Sequence, residues 1–335
     1  MKVEEKILYP KTIVKRNLPK NYLVSNQKIF QHEISRQIPV ISIKAISNCF
    51  FDYDEYLFTK SKILRESYFR RSWRKKTSIF RKLKILLSPV YKKVKKVDNS
   101  FFIIDAWSTG YFHWFGDVIH KYFMLKESNY EGKLLLPEKF KEINFAVESL
   151  DFFSIPHVFI KKKELAYSNK LYLFPYKLIS GNYVENTTLA INKVVNFPKV
   201  SSKKIIYVSR SKAKYRKLVN EVELIKILKK NGVEIYNFDN ISLTEQIKIA
   251  KETRVFISIH GAALTNMLFM NKSQNILEIR HPDSEIQNCY FSLASALKHN
   301  YFYFLGTPIN KDSNPHDGNL KIDVESFENL LKTII

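Results

Sequence analysis

The sequence predicts an α/β protein whose C-terminal half is built on a parallel sheet. Three observations predict it. From Lys203 onward, short apolar runs alternate with amphipathic stretches at the spacing of strands joined by crossover helices. Within that half, the apolar run Val255–Ile259 ends abruptly in His260-Gly261-Ala262-Ala263. Small residues at such a turn let backbone approach a ligand, and the first N–H groups of a following helix point outward unpaired, which favours an anion. The length, 335 residues, allows two domains with separate cores.

Composition narrows the class. Hydrophobic residues make up 45% and aromatics 14%, too rich for a disordered chain. Two distant cysteines, Cys49 and Cys289, give neither a disulfide framework nor a zinc pattern, and fit a reducing compartment. The N-terminus lacks the apolar core of a signal peptide, and no apolar run reaches the roughly 18 residues that a membrane span needs. A cytoplasmic location is the expectation. The formal net charge of +23 calls for an anionic partner: nucleic acid, a membrane face or an anionic substrate.

In chain order, residues 1–59 read as an irregular start followed by strands, with Val40–Ile46 alternating and Phe50–Phe58 a hairpin around an acidic turn. Asp52-Tyr53-Asp54 is the paired-carboxylate pattern by which some sugar transferases hold a metal-bound nucleotide, and equally an acidic β-turn. Lys60 to Val97 carries fifteen Lys or Arg and one acid, Glu66, with apolar residues interleaved. Its second half, RKLKILLSPVYKKVKKV, reads as a basic amphipathic segment suited to an anionic bilayer. The same footprint suits nucleic acid, which is the competing functional reading.

Phe101–Asp105 reads as a buried strand, and Trp107–Glu127 as a turn into an amphipathic helix. On that helix His113, Asp117 and His120 fall at i, i+4 and i+7 and so share a side. His113 with Asp117 suits a base and its orienter; all three suit a metal less well, because no cysteines or further acids cluster nearby. Short apolar runs at Lys133–Leu136, His157–Ile160 and Lys170–Phe174 continue the α/β layer, and 192–202 is the linker candidate. Beyond it come a strand at Ile205–Ser209, a helix at Glu221–Lys230 opened by an Asn220/Glu223 capping box, a strand at Val233–Phe238, and a helix capped by Ser242 and Glu245. Leu264–Met270 reads as a helix start, Asn275–Ile279 as a strand, Glu285–His299 as a helix and Tyr301–Phe304 as a strand. This half is Rossmann-like, and ligands in such sheets bind at the carboxyl ends of strands. Arg210, His260 and Arg280 fall there. Arg210, Lys212, Lys214 and Arg216 crowd one strand-end loop suited to phosphate. Glu278 ends its strand at the same rim, where an acid accepts from a ribose or pairs with Arg280.

Three blocks resemble glycosyltransferase family 61: YFHWFGDVIHKYFML (111–125), YVSRSKAKYRKLVNEVEL (207–224) and LTEQIKIAKETRVFISIHGAALTNMLFMNKSQNILEIR (243–280). The third is the most specific. The resemblance implies a GT-B fold, two Rossmann-like domains facing across a cleft, and inverting transfer from a nucleotide-sugar donor, UDP-linked by expectation. It divides the chain into residues 1–100 with the basic segment, an acceptor-side domain 101–198, a nucleotide-sugar domain 199–310 and a C-terminal tail and helix 311–335. By position it makes Arg210, Arg216, Asn220, His260, Gly261, Ala262, Asn266 and Glu278 donor-binding candidates, and His113 or Asp117 the catalytic base. Neither a metal nor another cofactor is expected. The expected partners are a saccharide or polyprenyl-linked acceptor and, through residues 60–97, an anionic membrane surface, with no nucleic acid. Without an entry signal, the chain looks like bacterial members that build capsule or lipopolysaccharide from the cytoplasmic face.

Overall fold

A computed structural model describes residues 3–64, 78–175, 180–181, 183, 185–195, 201–285, 287–310 and 314–335. The chain forms two compact units, one from Met1–Thr12 with Pro39–Ile179 and one from Ile13–Ile38 with Ser180–Ile335. The division at 179/180 lies ahead of the 198/199 boundary read from sequence, because the helix Glu185–Val194 belongs to the second unit, and Asn192 in it donates to the carbonyls of Leu268 and Met270. Residues 13–38 also join the second unit rather than the first. Asn21 Nδ2 donates to Tyr303 O at 2.7 Å, and Asn288 Nδ2 to Ile29 O at 2.6 Å. These pairings span more than 250 residues, which no local pattern announces.

The first unit is a seven-stranded mixed sheet, not a uniformly parallel one. Its order is Val3–Tyr9, Ile41–Asp52, Glu164–Leu173, Lys93–Phe101, Lys133–Pro137 and His157–Ile160, with Leu57–Phe58 hairpinned to Ile41–Asp52. The last four strands of that order run parallel, and the first two pair antiparallel. The expected hairpin is present: Phe50 stacks on Phe58 at 5.3 Å. Asp52 Oδ1 accepts from Tyr56 N–H at 2.8 Å and Asp54 pairs with Arg81 at 3.4 Å, so these acids act as turn residues.

The basic segment is not one amphipathic helix. Residues 65–77 lie outside the described residues. Ile79–Tyr91 is helical, capped by the Ser78 hydroxyl. Pro89 inside it cannot donate to the Ile85 carbonyl, and the Ser88 hydroxyl donates there instead at 2.5 Å. Lys93–Phe101 is then an interior strand, which corrects the strand expected at 101–105. Val97 is buried in it, and Lys95 is neutralised by Glu164 at 2.7 Å.

The second unit carries the predicted parallel sheet. Its strands are Lys204–Val208, Glu234–Tyr236, Thr253–Ile259, Asn275–Arg280 and Asn300–Leu305, in the spatial order 2-1-3-4-5. Val255, Ile257, Ile259, Leu277 and Ile279 bury one face against Leu224, Leu228, Phe327 and Leu331 of flanking helices. Helix Glu221–Lys230 has acids in its first turn and lysines in its last, which complements its dipole, and Gly232 follows in the left-handed region (φ 72°). Two expected helices differ. Glu285–His299 shortens to Cys289–Ala296, and the stretch after His260 is the 3₁₀-helix Ala262–Phe269.

Caps at two helices separate a surface role from a core role. The Ser242 hydroxyl accepts from Glu245 N–H at 3.2 Å as expected. Asn220 makes no such cap; its amide pairs with both backbone groups of Ile322, at 2.9 and 3.1 Å, inside the fold. Ser242→Ala should therefore cost about 1 kcal/mol and Asn220→Ala roughly 2–3 kcal/mol, since the latter strands a buried donor and acceptor. Urea unfolding checks this ordering; equal losses would refute it.

Candidate functional site

In a parallel sheet of order 2-1-3-4-5, the crevice lies between the carboxyl ends of the first and third strands, where the chain direction of winding reverses. Those ends are Val208 and Ile259. The next residues on each side are Ser209-Arg210 and His260-Gly261, so three of the candidates, Arg210, His260 and Gly261, lie at the switch point.

Arg210 lies against the backbone of Gly261. A Cβ on Gly261 would fall 2.0 Å from Arg210 Nη1 and 2.6 Å from Cζ. Gly261 has ordinary extended torsions, so the glycine is required by the arginine and not by backbone conformation. This replaces the sequence rationale, in which the small residues make room for a ligand alone. Burial, and then the nearby Arg216, hold the Arg210 pKa below its usual value. Arg210 Nη2 donates to Tyr215 O at 3.4 Å, while Nε of Arg210 and Nε of Arg216 are buried without a hydrogen-bond partner. Among the described residues neither arginine is in an ion pair. Arg216 itself is held in the left-handed region (φ 57°), costly for a residue with a Cβ. The neighbouring Lys217 N–H donates to Asn319 Oδ1 at 2.9 Å and Leu320 N–H to Lys217 O, which pins that loop.

Behind this rim lies a buried network. His260 Nδ1 bonds to Glu278 Oε1, Tyr301 donates to Glu278 Oε2 at 2.5 Å, and Arg280 Nη1 donates to the Tyr301 hydroxyl at 3.1 Å. Arg280 also donates to Ser284 Oγ and Ser284 O, each at 2.8 Å, and its guanidinium lies 5.2 Å over the Phe30 ring. Burial pushes the Glu278 pKa up, but His260, Arg280 and the hydrogen bonds it accepts hold it below the usual carboxylate value. Burial lowers the His260 pKa against the pull of Glu278. An ionised carboxylate can only accept, so Nδ1 carries the proton and Nε2 is left with the lone pair.

The structure brings Arg210, Arg216, His260, Gly261 and Glu278 to one region, with Ala262 half-buried at the start of the 3₁₀-helix. Glu278 is fully buried (0% exposed) beneath His260, so it orients the ring rather than offering a ribose acceptor. It does not ion-pair with Arg280 directly; Tyr301 stands between them. Asn266 is buried, donating to Gln246 Oε1 at 3.2 Å and Ala263 O at 3.1 Å, and Asn220 holds Ile322. Both amides tie the fold. Tyr301 and Ser284 were not legible as site residues, because only the tertiary network gives them a role.

In the first unit, His113 Nδ1 and Asp117 Oδ2 lie 2.7 Å apart, the expected base and orienter geometry, and Trp107 packs near the imidazole at 5.6 Å. The row of three polar residues is broken, however. Trp114–Ile119 is a π-helical turn, wider than an α-turn, and it carries His120 inward. His120 Nδ1 bonds to Phe115 O at 2.8 Å, and burial pushes its pKa down to about 4. No group of three or more His, Cys, Asp or Glu among the described residues is arranged to hold a metal.

Fold and site together define a Rossmann-like α/β protein with an electropositive crevice at its switch point. The sequence profile of Glycosyltransferase 61 matches residues 111–277, and the chain belongs to that family. Among curated proteins it is similar to the EGF domain-specific O-linked N-acetylglucosamine transferases of Drosophila melanogaster (36% identical over 94 residues), Canis lupus familiaris (31% over 102) and Pan troglodytes (29% over 117). Those matches take in 27%, 29% and 33% of this chain and 18%, 19% and 22% of the relatives, so the chain spans about a fifth of their length.

Two buried histidines set an acid limit. Like His120, His299 in the second unit has its pKa lowered to about 4 by burial. The unfolded chain takes up these protons near pH 6.5 and the folded chain refuses them until about pH 4. Stability is therefore complete above pH 6.5 and falls through that window as pH drops, by about 1.4 kcal/mol per pH unit for each histidine. Urea unfolding at pH 7.5 and 5.0 should show the loss, and His299→Gln should reduce it. An unchanged loss in that variant would reject the assignment.

Proposed function

We propose that this chain transfers one sugar from a nucleoside-diphosphate sugar, UDP-linked, to a saccharide acceptor with inversion at the anomeric carbon. The observation that carries the reading is the Arg210–Arg216 pair, seated at the switch point without an acid partner among the described residues. In the displacement the acceptor hydroxyl oxygen bonds to the anomeric carbon, and the bond from that carbon to the diphosphate breaks with its electron pair. The diphosphate gains negative charge as it leaves. On this reading Arg210, Arg216 and the N–H groups opening the Ala262–Phe269 turn stabilise it. His260, its tautomer fixed by Glu278, presents Nε2 to a donor group that can donate a hydrogen bond, such as a ribose or sugar hydroxyl.

His113 takes the proton of the acceptor hydroxyl, with Asp117 orienting the ring and stabilising the imidazolium that forms. Because arginines supply the charge stabilisation, turnover is expected to be metal-independent. The acceptor is taken to be a growing bacterial surface saccharide, capsular or lipopolysaccharide, on a polyprenyl carrier at the cytoplasmic face. The relatives' names make N-acetylglucosamine the first sugar to try as cargo.

A thermal-shift panel of UDP, GDP, CDP, CMP and ADP, each with magnesium and with EDTA, tests the donor site. UDP should stabilise the protein in EDTA, and Arg210→Ala and Gly261→Ala should abolish the shift, the second by displacing the guanidinium. A flat panel with wild-type protein would overturn the reading. His113→Ala should keep the UDP shift while kcat falls by about 10²–10⁴-fold; full turnover in that variant would remove His113 as the base.

A further inference from the structure

Helix Ile79–Tyr91 has two apolar faces and only one is used. Inward, Ile85 joins Phe50, Tyr56, Phe58 and Leu165 in the core of the first unit. Outward, Ile79, Phe80, Leu83, Leu87, Val90 and Tyr91 are all exposed, Phe80 and Val90 at 85% each. At 3.6 residues per turn these six fall within about 120° of arc, a continuous stripe along the whole helix. Scattered apolar residues on a surface need no explanation, but a rimmed stripe marks an interaction surface.

The rim says what the stripe meets. Lys82 and Lys84 flank it on the two sides, and no Asp or Glu occurs from Ser78 through Val97, where seven Lys or Arg do. Beside the helix lies a cavity of about 510 Å³, whose lining includes Lys84, Lys92 and Lys162 with the Asp54–Arg81 pair and Asp52, the last bound to the Tyr56 N–H. Lys84, Lys92 and Lys162 are in no ion pair among the described residues. Asp54 is answered by Arg81, which leaves the three lysines as the surplus charge, and a sheet of phosphate headgroups over acyl chains matches both the lysines and the stripe.

We propose that the outward face of helix Ile79–Tyr91 is a monotopic membrane anchor. Phe80, Leu83, Leu87 and Val90 enter the headgroup and acyl boundary of an anionic bilayer, and the neighbouring cavity seats a lipid phosphate against Lys84, Lys92 and Lys162. This narrows the basic segment seen in the sequence to one face of one helix, and it stands independently of the donor site.

Co-sedimentation of the full chain with vesicles of phosphatidylcholine, with and without phosphatidylglycerol, tests it. Binding should require phosphatidylglycerol and weaken as salt rises. The triple variant Leu83→Ser, Leu87→Ser, Val90→Ser should bind on the order of tenfold more weakly, as should Lys84→Glu with Lys92→Glu. All five positions lie at the surface or the cavity rim, so circular dichroism and melting should match the wild type. Equal binding to neutral and anionic vesicles, or undiminished binding by the triple variant, overturns the proposal. So does a wild-type dimer that the triple variant dissociates, which would assign the face to a second copy. The UDP thermal shift should survive in both variants, so failure of the anchor and failure of the donor site are read separately.

Discussion

The second unit is arranged around a carboxylate that cannot leave the protein interior. Glu278 sits inside a strand that is buried on both faces, where an unpaired charge is far too costly to keep. Its survival requires partners on every side: His260 from the preceding strand end, Tyr301 from the next strand, and the field of Arg280 beyond. Those partners impose further constraints. Arg280 must be held by Ser284 and covered by Phe30, which is why an N-terminal helix 250 residues away in sequence belongs to this unit. The geometry at the rim follows from the interior. His260 has one ring nitrogen committed to Glu278, so its orientation is fixed before any ligand arrives.

Arg210 and Arg216 present the opposite electrostatic case. Each has a buried Nε without a hydrogen-bond partner, and burial and then the nearby Arg216 raise the cost of keeping Arg210 charged. A fold that needed only stability would answer a buried guanidinium with a carboxylate, as Arg16 is answered by Glu33. Here the loop instead holds Arg216 in a left-handed backbone conformation and gives Arg210 a glycine to lie against. An anion that enters offsets the cost that the fold leaves standing. On the proposed reading this is what favours charge development on a departing diphosphate over its absence.

The parallel half of the fold was legible because its information is local. Apolar runs such as Val255–Ile259, acids at the start and lysines at the end of Glu221–Lys230, and the Ser242 cap are all readable at short range. Misreadings arose where tertiary structure overrides local pattern. Lys93–Val97 has the composition of a basic surface helix but pairs in parallel with Glu164–Ser168 as part of a strand, where Glu164 neutralises Lys95. Asn220 is spaced as a helix cap, yet Ile322, about a hundred residues on, takes its amide. The π-turn at Trp114–Ile119 shifts His120 out of register with His113, and no propensity rule signals such a turn. Site residues with a local signature, His260 and Gly261 above all, could be found; Tyr301 needs the three-dimensional network to be seen at all.

The two histidine–carboxylate pairs show how burial sorts one chemical device into two roles. His113 with Asp117 and His260 with Glu278 share the same contact through Nδ1. The His113 side chain is 27% exposed and its carboxylate sits on the same helix, whereas the His260 side chain is 10% exposed over a carboxylate with no exposure. A general base must gain a proton and then lose it, so it needs water or substrate at hand. A positioning group needs the reverse, a charge state that does not change during the reaction. Burial that lowers the His260 pKa keeps that ring neutral beside two arginines, where a third positive charge would be repelled. On the proposed reading, the more exposed pair gives proton transfer to His113 and the deeper one gives donor positioning to His260, a distinction that the residue types alone could not make.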